Sequence, residues 1–322
     1  WGLLARRIAR MRASNREEPA SPTSPRPLTG LTLADSVSMI VLGLVLVTLL
    51  VAAVGSGLSA PPRGWDVLTY HLPRAVSWLQ HGDLGAYGPE AAFYPGNSEL
   101  LLLTGLFTGT DKLSPLIQAP FLVLAALALF LLARAIGARR WSAAVASLVF
   151  VASPMAFFHS TVAKNDLIVT ALVLSGVLFL LKSLDHASGR NARTWEISLA
   201  GLSLGLAAGT KYSILPFVAA VALIVIALGL VRIARTPAPA HGRSNPVEMV
   251  CFIAVFAISL ALPSAFWYVR NLIVTGSPVA PLLLSESTHL PEAWIEQQFQ
   301  FVTSSVHWWA QPLIDRHGVT YT

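Results

Sequence analysis

Asp66 stands in the run Gly64-Trp65-Asp66-Val67-Leu68-Thr69-Tyr70-His71-Leu72-Pro73-Arg74, and a second carboxylate, Asp166, stands in Ala163-Lys164-Asn165-Asp166. A carboxylate with a phenol and a guanidinium nearby can accept a proton from a polar acceptor while cationic partners hold a phosphate. If Asp66–Arg74 is helical, Asp66, Tyr70 and Arg74 share a face at i, i+4 and i+8, with Pro73 weakening the last turn. The same residues also read as a solvated loop carboxylate with a local Asp–Arg pair. Asp166 opens a helix, where it either complements the helix dipole or divides base, metal and orienting roles with Asp66. Two cations complete the set: Lys211 in Gly209-Thr210-Lys211-Tyr212, and Arg270 in Trp267-Tyr268-Val269-Arg270-Asn271. At the bilayer edge Lys211 could hold a lipid-linked phosphate, or it snorkels to the interface. Arg270 reads equally as an anchor within an interfacial aromatic belt.

The elements that position these residues are membrane helices. The chain is 54% hydrophobic and 12% charged, against about 25% charged residues in soluble domains, and its mean hydropathy is +0.63. Uncharged runs predict about seven spans, near 36–58, 115–136, 141–158, 166–183, 196–210, 212–231 and 248–268. Glu99–Gly109 is too short to cross and reads as a juxtamembrane or re-entrant helix. The polar segment 59–98 between the first two spans is long for a mere connection, and its ionisable and aromatic side chains mark it as a site. Gly201, Gly205 and Gly209 recur every four residues on one helix face, where a neighbouring backbone can approach closely. Pro115 and Pro120 are expected to tilt or kink the start of the second span.

Charge fixes the expected sidedness. With seven spans and a cytoplasmic N-terminus, 15 of the 22 Lys and Arg fall inside, as the positive-inside rule requires. Ten of the 16 acidic residues fall outside, including Asp66, Glu99 and Asp166, so chemistry is expected on the outer face. Residues 1–30 read as a basic, Pro/Ser-rich cytosolic tail, and their charge does not call for a nucleic-acid partner. Residues 31–285 form the transmembrane domain, and 286–322 an outer segment that begins a missing C-terminal part. A first residue of Trp rather than Met suggests a fragment. Cys251 lies in an apolar run and pairs with no second cysteine in this chain. There is no Walker loop, dinucleotide glycine motif or zinc-ligand spacing, and His159, His289, His307 and His317 are scattered.

These motifs, in this order, resemble the GT-C superfamily of polytopic glycosyltransferases, most of all its bacterial protein-mannosyltransferase-like and aminoarabinose-transferase-like members (glycosyltransferase family 39-related). The resemblance runs over roughly residues 36–285. It rests on Trp65-Asp66 with Tyr70-His71-Leu72-Pro73-Arg74, then Tyr94-Pro95 with Glu99-Leu100. It continues through Arg139-Arg140, Ser153-Pro154, Asn165-Asp166 and Thr210-Lys211-Tyr212 to Trp267-Tyr268-Val269-Arg270-Asn271 and Gly276-Ser277-Pro278.

The resemblance implies an all-α membrane enzyme that takes a sugar from a polyprenyl-phosphate carrier and passes it to a lipid, glycan or protein acceptor outside the bacterial inner membrane. It makes Asp66 the expected catalytic carboxylate and Asp166 its helper, with a divalent metal (Mg or Mn) at Asp66 and Asp166 where a member uses one. Tyr70, His71, Arg74, Tyr94 and Glu99 become expected substrate-binding residues, and Lys211 and Arg270 the cations on the carrier phosphate. Val67 stands where the commoner pattern has a second acidic residue, a departure that bears on metal use. Two other classes stay open: a transporter or flippase, which would place charges at mid-membrane on broken, repeated helices, and a non-catalytic relative. The spans carry almost no mid-membrane charge and no convincing repeat, which disfavours transport.

Overall fold

Each long apolar run closes into a helix because a backbone surrounded by lipid must satisfy its own hydrogen bonds. The computed structural model describes residues 32–86, 93–184, 190–235 and 246–280. The expected tail 1–30, the segment 286–322, and Glu90 in the first loop lie outside the described residues. Among those described, the elements are α1 (Leu33–Ser59), a π-helical turn (Val67–His71), α2 (Leu72–His81), α3 (Asn97–Leu106), a short 3₁₀ turn (Ser114–Leu116), α4 (Ala119–Ala135), α5 (Arg140–Val151), α6 (Pro154–Ser160), α7 (Asp166–Ser183), α8 (Arg190–Ala208), a second 3₁₀ turn (Tyr212–Ile214), α9 (Leu215–Arg235), α10 (Pro246–Ala261) and α11 (Ala265–Thr275).

The protein is an all-α, polytopic membrane protein. Among the described residues, four stretches are long and apolar enough to cross a bilayer: Leu33–Ser59, Ser114–Ala135, Asp166–Ser183 and Tyr212–Val231. Two further crossings follow if each bent pair, α5 with α6 and α10 with α11, counts as one span turned through 65°. The breaks fall at Ser153-Pro154 and around Pro263, where proline removes a backbone donor and disfavours helical geometry in the residue before it. Each expected span coincides with helix, and among the described residues length and composition alone give four to six crossings, consistent with the expected seven or so. The remaining one, 196–210, falls in α8, whose first turns carry Arg193 and Glu196. Pro115 and Pro120 stand at helix starts, where a missing N–H costs least, rather than inside a kinked helix. The expected short helix is α3, ten residues long.

Packing follows the chain closely. A first core joins α1, α4, α5, α6 and α7 around Leu42, Leu122, Ala126, Ala144, Val151 and Leu167. A second joins α8, α9 and α10 around Ile197, Leu204, Val221 and Phe256. A third, smaller core of Val67, Ala75, Leu102, Leu106 and Ala163 seats the π turn, α2 and α3 on the loop before α7. Large apolar side chains on the outside of α1, such as Leu44, Val47 and Val51, stay exposed, as a lipid-facing surface requires. At the other end of α1, Thr32 and Asp35 form a capping box, and Asp35 Oδ1 also accepts from Trp141 N at 3.0 Å, tying α1 to the start of α5.

The glycine row does what its spacing predicts. A Cβ on Gly201 would lie 2.6 Å from Phe256 O, and one on Gly205 would run into Leu260 O and lie 2.7 Å from Pro263 Cγ. The two carbonyls are on the backbone of α10 and the proline ring follows directly after it, and none can swing away as a long side chain can. Gly205→Ala therefore costs about 1–3 kcal/mol by overpacking, whereas Gly43→Ala on α1, with nothing within 4 Å, costs nothing of that kind. Thermal unfolding of the two variants in detergent checks this; equal midpoints would show that α8 and α10 are not held this close.

Candidate functional site

All the chemistry-bearing loops gather at one end of the bundle. The C-terminal ends of α1, α6, α8 and α10 meet the starts of α4, α7 and α9 there, with α2 and α3 laid across them. Asp66 immediately precedes the π turn, in which Leu72 N–H reaches back to Val67 O. Pro73 explains the irregularity: it has no N–H for Thr69 O, so the α-helical ladder cannot run through this point.

The wider turn changes which residues face which way, and the row Asp66, Tyr70 and Arg74 expected from α-helical spacing does not form. Arg74 points into the protein at 4% exposure, while Asp66 stays about one-third exposed. Nor do the two pair locally. Asp66 Oδ2 meets Lys164 Nζ, and Arg74 belongs to a separate buried group.

Asp166, at the first position of α7, is gripped from two sides. Lys211 Nζ donates to Oδ1 at 2.6 Å, and His159 Nδ1 lies 3.2 Å from Oδ2. The His159 contact has the distance of an ion pair without hydrogen-bond alignment, for Nδ1 has no hydrogen-bond partner among the described residues. Two buried amides hold this arrangement. Gln118, from the turn before α4, donates to His159 O and Val162 O at 2.9 and 3.1 Å and accepts from Leu167 N at 2.7 Å. Asn165 donates to Thr210 O at 3.3 Å, which ties the start of α7 to the turn that carries Lys211. Lys164 and Asp166 flank Asn165, so one short loop serves both carboxylates.

The second group is Glu99, His71 and Arg74, all at most 4% exposed. His71 Nδ1 lies 2.7 Å from Glu99 Oε1, Ser98 Oγ donates to Oε2 at 2.8 Å, and Arg74 Nη1 is 3.8 Å from Oε1. Burial pushes the Glu99 carboxyl up, but the Arg74 charge and the bonds from His71 and Ser98 outweigh it and hold it at about 2. An ionised Glu99 accepts only, so His71 carries its proton on Nδ1. Burial likewise draws Arg74 below the usual guanidinium range, against the pull of Glu99. Arg74 Nη2 donates to Tyr94 O, and its remaining face rests 4.7 Å from the Trp78 ring and 5.5 Å from that of Trp267.

Tyr70 sits between the two groups, beside His71 (4.2 Å between ring centroids) and edge-on to Tyr94 at 6.2 Å. Burial first, and the nearby Asp66 charge second, push its phenol far up, so it acts as a neutral donor. Tyr94 in turn meets Tyr212 edge-on at 5.8 Å. Arg270, on α11, lies over Trp267 at 5.2 Å and donates to Leu84 O at 3.1 Å. Below it, the Tyr212 hydroxyl lies 2.9 Å from Phe93 O and 2.8 Å from Ala280 O, and Asn271 Nδ2 donates to that hydroxyl at 2.7 Å.

Of the expected site residues, then, Asp166 and Lys211 come together directly, and Asp66 joins them through the loop of Lys164. His71, Arg74 and Glu99 form their own buried cluster, and Arg270 stands apart from Lys211 on α11. Lys164 and His159 are the two residues that sequence reasoning missed. Their only signal is adjacency, at two and seven residues before Asp166. Among the described residues no three His, Cys, Asp or Glu side chains gather as ligands, and Asp66 and Asp166 each face a lysine ammonium where a cation would have to enter.

Comparison with known proteins gives one finding. A family model described as dolichyl-phosphate-mannose-protein mannosyltransferase matches residues 114–275, half of the chain. The matched stretch holds Lys164, Asp166, Lys211 and Arg270; Asp66 and the Glu99 cluster lie before it. No curated protein and no solved structure matches the chain.

Proposed function

Because the chain belongs to the dolichyl-phosphate-mannose-protein mannosyltransferase family, whose members are membrane glycosyltransferases drawing on a lipid-linked sugar, we propose that it moves a sugar from a polyprenyl-phosphate carrier to an acceptor at the end of the bundle bearing Asp66 and Asp166. The bias of Lys and Arg supports placing that end outside the bacterial inner membrane, with the N-terminus in the cytoplasm. The observation that carries the reading is the meeting of two carboxylates, each about one-third exposed and a hundred positions apart in the chain, with Lys164, Lys211 and His159 at one end of a lipid-embedded bundle.

In this reading Asp66 takes the proton of the acceptor hydroxyl as its oxygen attacks the anomeric carbon. The bond between that carbon and the phosphate oxygen breaks, and the electron pair leaves with the carrier phosphate. Cations fixed at that point stabilise the charge that develops on the leaving group. Lys211 lies near enough to serve while Asp166 steadies it, and Arg270, on α11, offers a second cation. Tyr70 and Tyr94 present rings and a neutral hydroxyl to the substrates. His71, Arg74 and Glu99 are buried, so they act by holding Asp66 and Tyr70 in place rather than by touching the sugar.

With a lysine beside each of Asp66 and Asp166, the proposal is that transfer runs without a metal there. Labelled sugar supplied on a polyprenyl phosphate, in membranes that lack the native enzyme, is expected to reach an acceptor with EDTA present as well as without it. Transfer that stops in EDTA and returns with Mg or Mn would restore a metal to the site. Transfer from a nucleotide sugar with no lipid carrier would overturn the donor class.

A further inference from the structure

Lys164 holds one of the two oxygens through which Asp66 could take a proton. While its ammonium occupies Asp66 Oδ2, that oxygen is closed to an acceptor hydroxyl and the carboxylate's charge is shared with a cation. Drawing the lysine off opens both oxygens.

The loop itself cannot retreat. Val162 and Ala163 are 1% exposed, Lys164 N donates to Val162 O at 2.9 Å, and Gln118 and Asn165 pin the flanking residues. Movement is left to the lysine side chain, a flexible four-carbon stem carrying a compact charge with three rotatable donors. It is about one-fifth exposed, and its partner carboxylate about one-third. Water and an incoming anion therefore have access to the pair. Asp166 differs, because Lys211 and His159 both bear on it, and losing one leaves the other.

We propose that Lys164 is an anion-operated latch: it holds Asp66 in the resting enzyme and swings onto the carrier phosphate when the donor binds, freeing Asp66 to take the acceptor's proton. One exchange of partners then does two jobs. It opens Oδ2 only when a donor is present, and it sets a cation on the phosphate oxygen to which the breaking bond's electron pair goes. The acceptor's proton passes to Asp66 and then to water, and the phosphate leaves as polyprenyl monophosphate with Lys164 against its added charge.

Lys164's role rests on the carrier-lipid reading above, so the test separates the two. Binding of polyprenyl monophosphate is measured for the protein in nanodiscs: wild type, Asp66→Asn, Asp66→Asn with Lys164→Met, and Asp66→Asn with Lys164→Arg. Asp66→Asn is expected to bind more tightly than wild type, because the lysine no longer has a competing charge. Adding Lys164→Met weakens binding about tenfold, the worth of one charge-assisted hydrogen bond, and Lys164→Arg recovers most of it. In transfer assays Lys164→Met alone raises KM for the donor and lowers kcat, since it loses the phosphate contact as the bond breaks. Unchanged affinity on removing Lys164, with wild type binding normally, would leave the lysine a static partner of Asp66 and overturn the latch. Failure of every protein to bind, wild type included, would overturn the carrier-lipid reading and the latch with it.

Discussion

Asp66→Asn lowers sugar transfer by at least about 1,000-fold, within the range that a lost general base produces, while the protein still inserts and folds. Asparagine keeps the shape of the side chain and can still accept from Lys164, but it cannot take a proton. The neighbouring packing is untouched, because the fold here rests on Val67, Ala75, Leu102 and Ala163, and Asp66 itself is one-third exposed. Folding and catalysis therefore separate in this variant. The measurement is transfer of labelled sugar by wild type and variant in membranes that lack the native enzyme. Equal rates would move the base to Asp166, the other carboxylate of the face.

Glu99→Gln acts on stability instead, and heavily. Glutamine removes the only carboxylate within ion-pair reach of the Arg74 guanidinium among the described residues, and Arg74 is 4% exposed. Breaking a buried pair from one side costs about 3–5 kcal/mol, because the remaining charge is stranded away from water. The indole faces of Trp78 and Trp267 stay against Arg74 and recover part of that. Acid makes a second signature. Glu99 titrates at about 2 in the folded protein against an ordinary 4.5, so its contribution is complete above pH 4.5 and is lost as pH falls through about 2. Wild type therefore loses this increment of stability between pH 4.5 and 2, and Glu99→Gln, which never had it, does not. Thermal unfolding in detergent at pH 7 and at pH 3 reads both effects. Matching midpoints at pH 7 would mean that Arg74 finds its counter-charge elsewhere.

Much of the bundle was legible because its causes are local. Long uncharged runs mark α1, α4, α7 and α9 without reference to anything distant, and the four-residue spacing of Gly201 and Gly205 marks the close contact with α10. The eleven-residue stretch from Glu99 was too short to cross, and α3 is short for that reason. The prolines were legible as breaks, although the sharp turns come at Pro154 and Pro263 and not at Pro115 or Pro120. The pairings within the site were not legible. Helical spacing suggested Asp66 beside Arg74, yet a turn one residue wider sends Arg74 to Glu99 and leaves Asp66 to Lys164. Nothing in the pattern around Gln118 announces a side chain that fixes His159, Val162 and Leu167 at once. Contacts between residues 66 and 164 depend on how three separate loops dock, which a reading of one stretch at a time does not reach.

The π turn at Val67–His71 behaves as a phase setting. An ordinary helix advances about 100° per residue, so a turn holding one residue more than usual offsets everything after it by that angle. Removing a single residue, Thr69 for example, would take out the extra residue and rotate Arg74 relative to Asp66 without altering any charged group, although Pro73 would still interrupt the ladder. The chain therefore encodes the separation between its open carboxylate and its buried one by residue count as much as by residue type. A family member with the same acids but one residue fewer between them would have them aimed differently, and alignment of the acidic positions alone would not reveal it.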